Sequence, residues 1–192
     1  RIQSVITSVE ENLVDDEAKI VKLLTPPFAK SLNNPGYIMN YPKGIRENGG
    51  QYTHASAWYI MALIQAGYSD RAYRYYQMIN PINRTAKQKD VERYRVEPYV
   101  IAADIYSSES FNARGGWTWY TGSAGWFYRV GIEEILGIKK QGNKLKLDPQ
   151  MPIAWDGFKM TYTYQDTTYN IQVKKADHDK MIVDGKEQSS TT

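Results

Sequence analysis

Cysteine is absent from all 192 residues, which excludes disulfide staples and thiolate metal sites and fits a reducing compartment. A cytoplasmic setting is the expectation. Histidine occurs only at His54 and His178, too far apart in sequence for a His-rich metal motif, so neither a metal nor a resident cofactor is expected. No apolar run approaches the roughly 20 residues of a membrane span, and no signal-peptide pattern is visible. Positive charge is sparse: net charge is +3, and apart from the loose cluster Lys139, Lys140, Lys144 and Lys146 no Lys/Arg run exceeds two residues. Nucleic acid is therefore not an expected partner. An initiator Met is also missing, since the chain starts at Arg1, and a piece of a longer protein is expected.

What the chain does have is aromatic residues: 16 Tyr and 5 Trp. A surface that grips sugars or other flat ligands needs such residues, and a Tyr-rich core has the same composition. They are densest in 115–129, where Trp117, Trp119 and Trp126 stand with two Tyr and a Phe around the small-residue run Thr121-Gly122-Ser123-Ala124-Gly125. Thr121 reads as an N-cap, with a helix running through Ala124, Phe127, Val130, Ile132 and Ile135 and stopping near Gly137. A helix start with a hydroxyl cap and a neighbouring Gly suits an oxyanion such as phosphate. The same residues also describe an ordinary capped core helix flanked by core aromatics.

Helical spacing of Ile2, Val5, Ile6, Val9 and Leu13 predicts a helix over 1–13. Asp15, Asp16 and Glu17 predict a second, short one through Leu24, ended by Thr25-Pro26-Pro27. Residues 31–50 form a long irregular stretch rich in Asn, Gly and Pro, and loops of that length are usually functional. Helix is expected over 52–66, apolar on nearly every side and so buried all round. Gly67 ends it, and Ser69 and Asp70 start the next helix, which runs through Ile79 to a break at Asn80-Pro81-Ile82-Asn83. Residues 87–94 are short and charged, and 98–107 read as helical and apolar. After Gly142 the period changes to two in 144–147, 158–164 and 168–173, with turn signals at Asp148-Pro149 and Asp156-Gly157. One antiparallel sheet over 142–183, packed on the helical part, is expected, with a frayed end at 188–192.

In the irregular stretch, Arg46 and Glu47 are adjacent opposite charges on a Gly-rich loop. Carboxylate and guanidinium together suit recognition of sugar hydroxyls, and His54 at the mouth of an apolar helix suits a phosphate. A plain surface ion pair and a satisfied core histidine are the alternatives.

The blocks containing Tyr41-Pro42, Gly44-Ile45-Arg46-Glu47-Asn48-Gly49-Gly50-Gln51-Tyr52-Thr53-His54, Asn80-Pro81-Ile82-Asn83, Glu97-Pro98-Tyr99-Val100 and 115–126 occur in an order that resembles the cellobiose phosphorylase family. These are inverting glycoside phosphorylases, formerly grouped with glycosyltransferases. In wording, the chain is most similar to the phosphorylase-like C-terminal region of cyclic β-1,2-glucan synthases, over about residues 20 to 175. The resemblance implies an α+β chain: the last helices of an (α/α)6 barrel over 1–140, then a small antiparallel β-sandwich over 141–192. It implies that His54, Thr121 and Gly122 hold phosphate, that Arg46 and Glu47 contact the acceptor-side sugar, and that Tyr41 lines that subsite. Arg46 departs from the Lys of cellobiose-specific members. The family's general acid is an Asp in a Gly-Asp-Trp-Asn-Asp-Gly-type block, and no such block occurs here. Asp156, among the strands, is no substitute.

The implied partners are a β-glucan or β-glucoside oligosaccharide and inorganic phosphate as co-substrate, and a homodimer is allowed. If the parent is a glucan synthase, attachment to the inner membrane is implied. An inverting phosphorylase needs one acid, because phosphate is itself the nucleophile, whereas an inverting hydrolase needs two carboxylates. The competing readings are a glycosidase using Glu47 or Glu97, and a non-catalytic carbohydrate-binding module.

Overall fold

The computed structural model describes residues 1–30, 32–119 and 121–188; Ser31, Tyr120 and the expected frayed end at 189–192 lie outside the described residues. The chain is α+β, with helices in the first part and small antiparallel strand pairs throughout.

Helix α1 (Ile2–Asn12) leads into a hairpin of β1 (Val14–Asp15) and β2 (Ile20–Val21). The short helix expected at 15–24 is therefore replaced by strands. Asp15 turns the chain locally by accepting the Ala18 N–H at 2.9 Å, Lys19 takes a left-handed φ of 56°, and β-branched Ile20 and Val21 favour the pleated surface. On α1 only Ile6 is fully buried, and Ile2 and Val5 stay exposed.

Helices α2 (Thr53–Gln65) and α3 (Ser69–Ile79) pack as an antiparallel pair around Gly67, whose φ of 84° closes the connection. α2 is not buried all round: Ala57, Ile60, Leu63 and Ile64 enter the core, whereas Trp58 points outward, half exposed. α4 (Pro81–Arg84) is capped by Asn80, which accepts the Ile82 N–H at 3.0 Å, and α5 (Gln88–Tyr94) follows.

The helix expected at 98–107 is absent. Its residues are extended and turned, and β4 (Asp104–Ile105) pairs with β3 (Gln51–Tyr52), directly ahead of α2. An apolar run this short does not choose between strand and helix by pattern. Here a partner strand distant in sequence, with Gln51 opposite Ile105, decides. α6 (Gly122–Arg129) packs on α2 and continues as a π-helical turn over Val130–Ile135. Gly137 ends it with a φ of 69°, where a Cβ would collide with Asp148 O.

Two cores result. One joins α1, α2, α3 and the α6 segment through Ile6, Ile60, Tyr75, Ile79 and Val130. The other gathers Ala18, Ile20, Tyr94, Ala102, Ile105 and Ala113. The remaining strands form separate hairpins rather than the single sheet expected: β5–β6 (Ile138–Gln141, Lys144–Leu147), β7–β8 (Gly157–Tyr164, Thr167–Lys174) and β9–β10 (Met181–Val183, Lys186–Gln188). The segment before β7 docks on α3, where the Ile153 N–H donates to Asp70 at 2.8 Å and Trp155 meets Tyr73 edge to face. No helix among the described residues is long and apolar enough to cross a membrane.

Candidate functional site

The loop over 41–50 is held from inside by Asn48, which is fully buried. Its amide donates to Phe28 O at 3.0 Å and Tyr41 O at 2.8 Å, and its oxygen accepts the Phe28 N–H at 2.7 Å. Its main chain closes the turn by accepting the Gly44 N–H at 2.8 Å and donating to Ile45 O at 3.0 Å. Buried Gln51 does the same work below, accepting the Val21 N–H at 3.1 Å. Asn48→Ala strands two carbonyls and one N–H away from water. At about 1 kcal/mol or more for each unmet buried group, a loss of about 3 kcal/mol is expected, read as a lowered urea midpoint with unchanged slope.

On this loop Arg46 stands in the left-handed region at φ 48°, a sparsely populated conformation for a side chain of this size. Its guanidinium lies 5.7 Å from the Tyr41 ring centroid and 3.8 Å from the Glu47 carboxylate. The ion pair leaves Arg46 Nε and Glu47 Oε2 buried and without a hydrogen-bond partner. Such atoms are costly to leave unmet.

His54 is the second residue of α2. Its ring stacks between Tyr52 at 6.4 Å and Trp126 at 5.5 Å and meets Trp58 edge-on at 4.7 Å. His54 Nε2 is buried and unpartnered. Trp126 belongs to α6, so the stack ties His54 to the helix that Thr121 opens. Thr121 caps it as the spacing predicts: its hydroxyl oxygen accepts the Ser123 N–H at 3.1 Å and its O–H donates to Ser123 Oγ at 2.9 Å. Gly122 is exposed, with open space where a Cβ would be.

Trp117 and Trp119 are each about half exposed, as is Trp58, which meets the His54 ring. Trp119 Nε1 donates to Glu97 at 2.9 Å, and that bond, with further hydrogen bonds to the same carboxylate, holds Glu97 below the usual carboxylate range.

Asp104 is the site residue that sequence reading missed. It is 1% exposed, and one oxygen accepts the Trp117 N–H at 3.0 Å while Oδ2 has no partner. Burial pushes its carboxyl up; Glu47 adds to that, while the Trp117 N–H and Arg46 oppose it. The pairing of β4 with β3 brings it here, and the helical reading of 98–107 hid it. Among the described residues no group of three or more His, Asp or Glu is arranged to hold a metal ion.

Aromatic faces, a helix start and free polar atoms of both charge types together suit a ligand rich in hydroxyls and an oxyanion. Residues 1–137 match the family described as glycosyl hydrolase 94 superfamily, catalytic domain, and the chain belongs to that family. It is similar to the cyclic beta-(1,2)-glucan synthase NdvB of Rhizobium meliloti (strain 1021), 49% identical over 168 residues, which is 88% of this chain and 6% of that protein. It is also similar to the N,N'-diacetylchitobiose phosphorylase of Vibrio proteolyticus, 31% identical over 93% of this chain and 22% of the relative. The 1,2-beta-oligoglucan phosphorylase of Listeria innocua serovar 6a is 26% identical over 74% of this chain and 14% of its own length. The chain thus spans less than a quarter of the length of each of these relatives.

Proposed function

We propose that this chain is the C-terminal part of an inverting glycoside phosphorylase-type enzyme that cleaves β-linked glucosides with inorganic phosphate to give α-glucose 1-phosphate. The observation that carries the reading is the set of buried, unpartnered atoms Arg46 Nε, Glu47 Oε2 and His54 Nε2, with the His54 ring stacked on Trp126 of the capped helix α6. Phosphorylases recur among the relatives by name, which supports the same choice.

In this reading His54, the Thr121 hydroxyl and the Gly122 N–H hold phosphate in line with C1, and no bound cofactor takes part. Placing a dianion against the breaking bond supplies the nucleophile and its orientation. Glu47 and Arg46 contact the acceptor-side sugar beside Tyr41. The general acid comes from a segment outside this sequence, and helices from that segment complete an (α/α)6 barrel with residues 1–140. Residues 141–192 form part of a C-terminal β-sandwich. The enzyme works on the cytoplasmic side, as a homodimer, on β-glucan or β-glucoside oligosaccharides.

A glycosidase with Glu97 as its acid fits less well, because such an acid must keep its proton near neutral pH and Glu97 is held in the opposite direction. The test incubates the full-length enzyme with a β-1,2-linked glucooligosaccharide, with and without phosphate, and follows ³¹P NMR and free glucose. α-Glucose 1-phosphate formed only with phosphate is expected. Free glucose released at equal rate without phosphate would establish the glycosidase. The 192-residue chain alone is expected to be inactive, since a general acid contributes roughly 10²–10⁴-fold.

A further inference from the structure

We infer that Asp104 is a positioning residue for the sugar-contacting pair: its enclosed carboxyl anchors the Arg46–Glu47 turn to the Trp117 segment and sets how those two side chains present their free atoms. The inference rests on the reading that Arg46 and Glu47 contact sugar.

Asp104 cannot touch a ligand itself. It is 1% exposed, and Gly116 covers it so closely that a Cβ there would sit 2.5 Å from either carboxyl oxygen. Its main chain is bonded into the site on both sides. Asp104 O accepts the Gly116 N–H at 2.9 Å, and the neighbouring Ala103 accepts the Thr53 N–H at 2.9 Å, one residue before His54. Opposite it in the strand pair is Tyr52, which stacks on His54. The carboxyl is thus fixed between the aromatic segment and the strand that follows the sugar loop.

Its polar neighbours are few. Oδ1 takes the Trp117 N–H. The Arg46–Glu47 turn lies against the same strand: the Ser107 N–H donates to Gly44 O at 2.8 Å, and a Cβ at Gly50 would sit 2.8 Å from Arg46 O and 3.1 Å from Ile105 O. The nearby charges that act on the carboxyl are those of Arg46 and Glu47. Asp104 Oδ2, Arg46 Nε and Glu47 Oε2 are all buried and all lack partners. A buried carboxylate in that setting attracts the guanidinium and pushes on Glu47, which biases how the Arg46–Glu47 pair, 3.8 Å apart, is turned. The left-handed backbone of Arg46 persists only where surroundings enforce it, and the main-chain bonds of Asn48 and Gly50 close the turn around it. Asp104→Asn keeps an acceptor for the Trp117 N–H and removes the charge.

The test uses the full-length enzyme and intrinsic tryptophan fluorescence during titration with glucose, a reading that needs no turnover. D104N is expected to weaken glucose affinity on the order of tenfold, with the phosphate KM and the melting temperature little changed. Glu47→Gln weakens it as well. Adding Asp104→Asn to a variant that carries both Arg46→Ala and Glu47→Gln is expected to weaken binding no further, because Asp104 acts through that pair. Unchanged glucose affinity in D104N, or losses that add in the combined variant, overturns the role. If D104N does not fold, Asp104→Thr retains an acceptor in a smaller volume and is expected to show the same sugar-selective loss. If neither folds, Asp104 is a scaffold residue and the positioning role falls. A wild type that binds glucose without releasing sugar phosphate overturns the proposed reaction alone.

Discussion

In the full-length enzyme, His54→Ala is expected to raise the phosphate KM by roughly 10- to 10²-fold while leaving sugar affinity within a few-fold of wild type. A hydrogen bond to a charged partner is worth about 1.5–3 kcal/mol, which sets that range. The ring is already held: Tyr52 and Trp126 lie nearly parallel to it and Trp58 meets it edge-on, so little ordering accompanies binding. Its Nε2 has no protein partner to lose. His54→Gln keeps a donor without the stacking geometry and is expected to fall between wild type and Ala. Initial rates over a phosphate series at fixed sugar, then the reverse series, separate the two KM values. Equal losses in both would assign His54 to general packing of α2 against α6.

The second large effect is on stability. Arg84→Ala is expected to cost about 3–5 kcal/mol, seen as a fall in the urea midpoint. Arg84 is 4% exposed, at the end of α4, and among the described residues no carboxylate forms an ion pair with it. Its guanidinium instead donates to Lys19 O, to Ala18 O at 3.1 Å and to Ala113 O at 3.4 Å, and lies 5.3 Å from the Tyr94 ring centroid. Removal leaves those carbonyls enclosed without donors and opens a void beside Tyr94. Arg84→Lys is expected to recover only part of the loss, because an ammonium neither forks between carbonyls nor stacks flat. Burial pulls the Arg84 pKa down to about 10. Above about that pH the unfolded chain binds more protons than the native one at this group. Its contribution to stability therefore rises as pH climbs past about 10.

Much of the helical part was legible because local signals agreed with the tertiary outcome. Gly67 closes the α2–α3 connection where its φ demand places it, α3 opens at Ser69 as expected though without a side-chain cap, and Thr121 opens α6 by the bond its side chain makes. The alternation in 157–174 likewise marks a real hairpin, with Phe158, Met160 and Tyr162 opposite Val173, Ile171 and Tyr169. The failures were non-local. Residues 15–24 carry helix-start acids, yet Asp15 spends its carboxylate on a turn and Gln51, thirty residues on, takes up the Val21 N–H. Residues 98–107 have a run too short to declare its period, and the pairing of Asp104 with Tyr52 decided it. Among the candidate site residues, the adjacency of Arg46 and Glu47 was visible in the sequence. The polar residues that hold them were not: Asn48, Gln51 and Asp104 look solvated until the fold buries them. Arg84 is the same case in the second core.

The central claim is that His54, Thr121 and Gly122 converge on one anion, and a crystal complex of the full-length enzyme with inorganic phosphate measures it directly. Expected is a phosphate within hydrogen-bond reach, about 2.8 Å, of the Thr121 hydroxyl, the Gly122 N–H and a His54 ring nitrogen, with the hydroxyl and ring on the order of 7 Å or less apart. The Thr121 O–H, which donates to Ser123 in the free chain, is expected to turn toward the phosphate. Phosphate bound elsewhere, or protein atoms filling the space between Thr121 and His54, would contradict the claim.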